Sequence, residues 1–292
     1  MRKRFSANSM LSLLFNSFFF IRFGNARMRK AYPRMIRKGD RFDPLDVAKQ
    51  TERMVCRNGA RKYTAFYATG VYGGIATGYV VGCCLRCFFC WTDFSRDFPE
   101  AYGNYYTAEE ACENIVRAAR KWRVSKARIS GGEPTLCRKH LLELLELVEE
   151  REEVKLFILE TNGILFGADE SYVRDVAGLK KVYVRVSLKA GEPEAFEART
   201  GASKEFFELP FRAVKALLDH NVKFHVAAMT DPRIMPAEER RRLIGRLAEI
   251  DEFLAANLEE EECDPYEGTL VRMQIYGLDP IEFFGGKSLG FT

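Results

Sequence analysis

Proline is scarce, 10 in 292 residues, and glycine reaches only 22, which leaves no room for a collagen-like repeat; 47% hydrophobic against 29% charged residues excludes a disordered chain. What remains is a globular protein with a full-sized core. Eight cysteines are too few for a disulfide scaffold, which favours a reducing, cytoplasmic compartment. Long apolar runs are missing too. The best, from Met10 to Ile21, has twelve residues interrupted by two Ser and one Asn, against the roughly 20 a membrane span requires. The glycines at 70, 73, 74, 78 and 82 match neither a P-loop nor a dinucleotide fingerprint.

The length suits either two modest domains or one α/β barrel with extensions. Net charge is +4 but unevenly placed: 16 Lys/Arg against 4 Asp/Glu in residues 1–62 give +12, leaving 29 against 37, or −8, for the rest. The basic arm could meet RNA, anionic lipid or an acidic partner, or could simply be a solubilising leader. Residues 1–35 read as a basic and apolar leader, with three explanations: a start placed too early, with Met28 or Met35 the true beginning; a membrane-surface helix over residues 10–21; or an export signal. Residues 36–75 are expected as an extension packing on the barrel, and 76–292 as the barrel with its tail.

From Tyr79 onward, β-rich runs alternate with helical stretches, the pattern of repeated βα units. Strands are expected at Tyr79–Val81, Ala127–Ser130, Val154–Glu160, Val182–Leu188, Val222–Met229 and Val271–Ile275. Helices are expected at Ala108–Trp122, opened by a Thr107/Glu110 capping box, and at Arg138–Glu150, Tyr172–Ala177, Phe206–His220 and Ala237–Ala256. Six repeats are short of a closed eight-unit barrel, so the fold class is α/β, a partial (β/α)6 TIM-like barrel with a basic N-terminal extension; a flat doubly wound sheet competes.

Chemistry-bearing residues sit at the expected C-terminal ends of the strands. The first strand runs into Cys83-Cys84-Leu85-Arg86-Cys87-Phe88-Phe89-Cys90, the second into Gly131-Gly132-Glu133-Pro134, the third into Glu160-Thr161-Asn162-Gly163 and the fourth into Ser187-Leu188-Lys189. Period-two alternation puts Arg185, Ser187 and Lys189 on one face. Three thiolates can hold three irons of a 4Fe-4S cluster and leave the fourth open. Spacing allows Cys83/Cys87/Cys90 or Cys84/Cys87/Cys90. A structural zinc site would want a fourth ligand, and the nearest histidine is His140. Cys56, Cys112, Cys137 and Cys263 are far apart and read as ordinary small residues. His225 could face the cavity or be a packed histidine, Glu259 to Glu262 reads as a solvated helix end or loop, and Pro193 reads as a helix start.

The run Gly82 to Trp91 followed by Ser130-Gly131-Gly132-Glu133-Pro134 resembles the radical S-adenosylmethionine (radical SAM) superfamily, over about Tyr79 to Tyr276. That resemblance implies a 4Fe-4S cluster on Cys83, Cys87 and Cys90, its unique iron chelated by SAM, which one electron cleaves to methionine and a 5′-deoxyadenosyl radical. It places Phe89 against adenine, Gly131, Gly132 and Glu133 at the methionyl amino group, and Asn162, Ser187 and Lys189 among the remaining SAM contacts. Such chemistry needs a dry cavity, which Phe88, Phe89 and Trp91 suit, though they could equally be plain packing. A low-potential donor of the flavodoxin or ferredoxin type is implied.

Glu160-Thr161-Asn162-Gly163 with Val184 to Lys189 resembles the activating-enzyme branch typified by pyruvate formate-lyase activase. There, an acid before Thr-Asn-Gly and an Asp-Leu-Lys help hold SAM and a monovalent cation; here Ser187 stands at the Asp position. The implied partner is a glycyl radical enzyme. Cys90-Trp91, Gly132 to Leu136 and the basic arm also resemble tRNA-modifying enzymes of the wyosine-forming kind, although that family carries further N-terminal cysteines where this chain has only Cys56. A third reading, a non-catalytic iron-sulfur electron carrier, leaves Gly131-Gly132-Glu133 and the polar strand ends without a purpose.

Overall fold

A computed structural model describes residues 31–285; the stretch 10–21 and most of the expected leader lie outside them. The first helix, α1 (Pro44–Val55), is opened by Asp43, whose carboxylate accepts from the Leu45 and Asp46 amides, with Pro44 in the first turn. It leads into β1 (Cys56–Arg57), the ten-residue β2 (Ala60–Thr69) and β3 (Ile75–Val80). The cysteine loop follows, then β4 (Asn104–Tyr106) and α2 (Ala108–Trp122), which begins with the expected reciprocal Thr107/Glu110 capping box.

Strand and helix then alternate through β5 (Lys126–Gly131), α3 (Arg138–Glu150), β6 (Leu156–Thr161), α4 (Ile164–Ala168), α5 (Glu170–Val176), β7 (Val182–Leu188), α6 (Pro193–Thr200) and α7 (Glu208–Asp219). The described residues finish with β8 (Phe224–Met229), α8 (Ala237–Ile250), α9 (Glu252–Ala256), β9 (Glu259–Glu261), α10 (Glu267–Tyr276) and α11 (Pro280–Phe283). The sheet runs β1-β2-β3-β5-β6-β7-β8-β9, with β4 branching from β2. β3 and β5 through β9 are parallel to their neighbours, and β2 adds antiparallel to β3. The result is an open partial barrel of six parallel strands with an antiparallel margin.

The central parallel strands alternate: apolar residues such as Ile129, Leu159 and Val184 face the covering helices, while Arg128, Ser130, Arg185 and Ser187 face the lumen. Ile129, Leu159 and Val184 lie in adjacent registers and are buried together with Leu144, Leu145, Val173, Val214 and Leu217 from the helices. Truncating one such leucine to alanine costs about 2–5 kcal/mol. Among the described residues no helix is long and apolar enough to cross a membrane.

Four expectations are corrected. The sixth parallel strand is Glu259–Glu261, not Val271–Ile275, which lies within α10. Helical spacing buries Thr269, Leu270, Arg272 and Met273, while three glutamates can form a strand because Glu259 and Glu261 both pair with Arg185 of β7. The expected Ala237–Ala256 helix breaks at Asp251, which takes an extended backbone and caps α9 through the Phe253 amide. Strand β2, at the sheet margin, was not anticipated. Finally, Cys56 and Cys137 are not isolated: they form a disulfide, with Cα atoms 6.1 Å apart and 81 residues between them in sequence, a separation that hides the pairing from local reading.

Candidate active site

At the C-terminal end of the parallel sheet lies a cavity of about 760 Å³ whose wall includes Cys83, Cys87, Phe89, Cys90, Gly131, Gly132, Glu133, Asn162, Ser187 and Lys189, every site residue expected from the sequence. Backbone geometry joins its first two motifs. The Gly132 amide donates to the Val80 carbonyl and the Glu133 amide to the Gly82 carbonyl, both at 2.7 Å. A Cβ at Gly132 would overlap the Gly82 carbonyl, so this approach of two strand ends requires a residue with no side chain.

The Glu133 carboxylate, buried, accepts from the Thr135 amide (3.1 Å) and hydroxyl (2.6 Å), from the Thr161 hydroxyl (2.7 Å) and from the Asn162 amide (2.8 Å). It thereby ties the second strand end to the third. Asn162 continues the chain of contacts, its Nδ2 lying 3.3 Å from the Cys84 sulfur and 3.6 Å from that of Cys83.

Of the four clustered cysteines, all free, Cys84 is the one that does not line the cavity. It is buried against Asn162 and Cys83. Its hydrogen bond to Cys83 is the main reason the Cys83 thiol is held down to about 7, against the opposing effect of burial. Burial pushes the Cys87 thiol up to about 12. Three free thiols facing one cavity, with glycine-lined backbone beside them, suit a polynuclear thiolate-bound group, and binding one would release protons.

The opposite wall is built from ion pairs. Arg185 reaches Glu259 and Glu261, each at 2.7 Å, and His225 Nε2 lies 2.6 Å from Glu259 Oε2. The His225 hydrogen bond is the leading influence holding the Glu259 carboxyl down to about 2, with Arg185 adding to it and burial opposing it. Ser187 Oγ donates to Glu261 at 2.9 Å, and Lys189 donates to Ser187 and lies 3.7 Å from Glu261. Burial alone would raise the Glu261 carboxyl; Lys189 and Arg185 outweigh it and hold it low. Glu261 thus reaches Ser187 from β9, two strands along the sheet from β7, so the run Glu259 to Glu262 is a cavity-lining strand and not a solvated end. Further round, Arg128 binds Glu160 at 2.6 Å and Thr77 at 2.9 Å, and Ser130 donates to Glu160.

The aromatic residues divide. Phe89 is buried edge-to-face on Phe88, whose ring stacks on Tyr276 at 4.5 Å. Trp91 is 44% exposed, its ring meeting those of Tyr79 and Tyr266 at 6.3 and 6.4 Å. Phe89 thus lines the cavity beside the cysteines with Phe88 packed behind it, while the exposed Trp91 sits at the rim.

Residues 79–250 match the family model described as the radical SAM superfamily. A relative from Methanocaldococcus jannaschii, named "Probable GTP 3′,8-cyclase", is 30% identical over 205 residues, covering 68% of this chain and 61% of its own length; the chain thus spans about three fifths of that relative. Among solved structures, Streptococcus suis SuiB bound to precursor peptide SuiA superposes with a TM-score of 0.50 at 18% identity, over 88% of this chain and 51% of that one. The hydrogenase maturase HydG from Carboxydothermus hydrogenoformans gives 0.50 at 13% identity, over 80% and 55%; these two speak for the fold alone. With its cysteine loop at the sheet's C-terminal edge and 172 consecutive residues matching the family model, the chain belongs to the radical SAM superfamily.

Proposed function

We propose that Cys83, Cys87 and Cys90 hold the family's 4Fe-4S cluster and that the chain directs hydrogen abstraction from a small polar molecule seated against the wall formed by β7, β8 and β9. When bound, cluster and SAM together supply one-electron cleavage of the sulfonium, yielding methionine and a 5′-deoxyadenosyl radical. Residues of this chain do the rest. Gly131 and Gly132 let backbone groups approach the methionyl end, Phe89 offers a face to adenine, and Ser187 and Lys189, oriented by Glu261, contact the polar parts of SAM. The observation that carries this reading is the convergence of three free thiols and all the expected SAM contacts on one cavity, whose volume lies within the roughly 300–1,000 Å³ of small-ligand sites.

The relatives' name makes a purine nucleotide the first substrate to test. Arg128, Arg185 and Lys189 already face Glu160, Glu259 and Glu261, so a polyanion would have to displace carboxylates to reach them, and a substrate carrying both charges fits better. The activating-enzyme reading, in which a partner's backbone glycine is the hydrogen donor, and the tRNA reading stand as alternatives. Incubation with deuterated GTP, a deuterated glycyl peptide and deuterated tRNA, scoring label in 5′-deoxyadenosine, separates the three. Transfer from GTP supports the proposal; transfer only from peptide or tRNA overturns it.

A further inference from the structure

Two arginines and one aspartate are buried beneath the cysteine loop, each at most 1% exposed: Arg96, Asp97 and Arg272. Asp97 lies between the other two. One carboxylate oxygen accepts from Arg96 Nε at 3.0 Å and also from its Nη2; the other accepts from Arg272 Nε and Nη2 at 3.1 and 2.5 Å. Among the described residues no other carboxylate is within ion-pairing distance of either guanidinium. Two cations share one anion, leaving one positive charge uncompensated in a low-dielectric interior, an arrangement that is costly unless a further anion is at hand.

The remaining donors identify where that anion belongs. Arg96 Nη1 donates to the Cys87 carbonyl at 2.7 Å, and Arg272 Nη1 to the Cys90 carbonyl at 2.7 Å and the Thr92 carbonyl at 2.6 Å. Arg272 Nη2 reaches the Asp93 carbonyl at 2.7 Å, and Thr269 adds a second donor to the Cys90 carbonyl at 3.0 Å. Arg86 donates in the same way to the Cys83 carbonyl at 2.7 Å. Each of the three cavity-lining cysteines thus has a guanidinium on its carbonyl. Carbonyl dipoles satisfy the N–H groups but do not neutralise the charge; three thiolates do.

We propose that Arg96 and Arg272, coupled through Asp97, are positioning residues that both fix the cysteine loop and place a net positive charge against it, making the bound cluster easier to reduce. The inference rests on the reading that Cys83, Cys87 and Cys90 hold the cluster. A cluster that gains an electron gains negative charge, so a buried cation nearby favours the reduced form. A role in loop geometry alone would not make the potential follow the sign of the charge change.

The test is an EPR-monitored redox titration of the anaerobically reconstituted full chain, with iron content measured in parallel. At the potential where half the wild-type cluster is reduced, Arg272→Gln lowers the reduced-to-oxidised ratio about tenfold, equivalent to about 59 mV for one electron. The charge-preserving Arg272→Lys lowers it less than threefold. The near-isosteric Asp97→Asn removes the anion and moves the ratio the other way. Iron-loaded variants that titrate with wild type, or Gln and Asn variants that shift in the same direction, overturn the proposal. So does a set in which wild type takes up iron and none of the three variants does, since the triad then acts on assembly alone. A wild-type chain that takes up no iron instead removes the cysteine assignment itself.

Discussion

The two halves of the cavity are built by different physics. Around β3, β5 and β6, the wall is held by backbone: Gly132 against Gly82, two amide-to-carbonyl bonds at 2.7 Å, and a Glu133 carboxylate wholly engaged with its neighbours. Around β7, β8 and β9, it is held by side-chain charge: Arg185, Lys189, Glu259, Glu261 and His225. A backbone-built wall admits few residue types, because a Cβ either fits or it does not. A charge-built wall can exchange partners while keeping its shape. Under the proposed function, the first half takes the methionyl end of SAM, and the second takes both the polar parts of SAM, through Ser187 and Lys189, and the substrate.

That contrast predicts where substitutions do most damage. Cys87→Ala sharpens it most, abolishing cluster uptake and all 5′-deoxyadenosine formation, as read by iron analysis and chromatography. Gly132→Ala comes next: its Cβ has backbone carbonyls on two sides, and SAM cleavage falls by about 10²-fold, the scale of an ångström-sized misplacement of reacting groups. On the charged side, Glu261→Gln leaves iron content at the wild-type level and raises the KM for SAM or substrate by roughly tenfold, the scale of one charged hydrogen bond. Equal losses from Gly132→Ala and Glu261→Gln would break the comparison.

The smallest effect is on acid stability. Glu259 is held down to about 2 from an ordinary value of 4.5, so its contribution is complete above about 4.5 and disappears as pH falls toward 2. Because its side chain is 36% exposed, solvent screening keeps that contribution modest. Thermal melts of wild type and Glu259→Gln should differ at pH 6 and converge as pH falls toward 2; a difference that is unchanged by acid contradicts the assignment.

Legibility in the sequence follows the same division. Cysteine spacing, Gly-Gly-Glu and Thr-Asn-Gly were readable because each local run encodes its own geometry, as were the Thr107/Glu110 cap and the amphipathic Arg138–Glu150 helix. The charged wall was not. Glu259 and Glu261 alternate as strand residues do, but glutamate has low β-propensity, and only partners more than thirty residues away make the strand stable. Val271 to Ile275 misled for the complementary reason: β-branched letters sat on a helix whose buried face includes Arg272. Arg96, Arg272 and the Cys56–Cys137 pair depend on long-range contacts that no window of sequence contains.

Anaerobic reconstitution with iron and sulfide, followed by dithionite and SAM, tests the central assignment most directly. Wild-type protein should carry about four irons per chain and release 5′-deoxyadenosine in a reductant-dependent reaction. A colourless zinc protein, or a brown one that leaves SAM intact, would contradict the account.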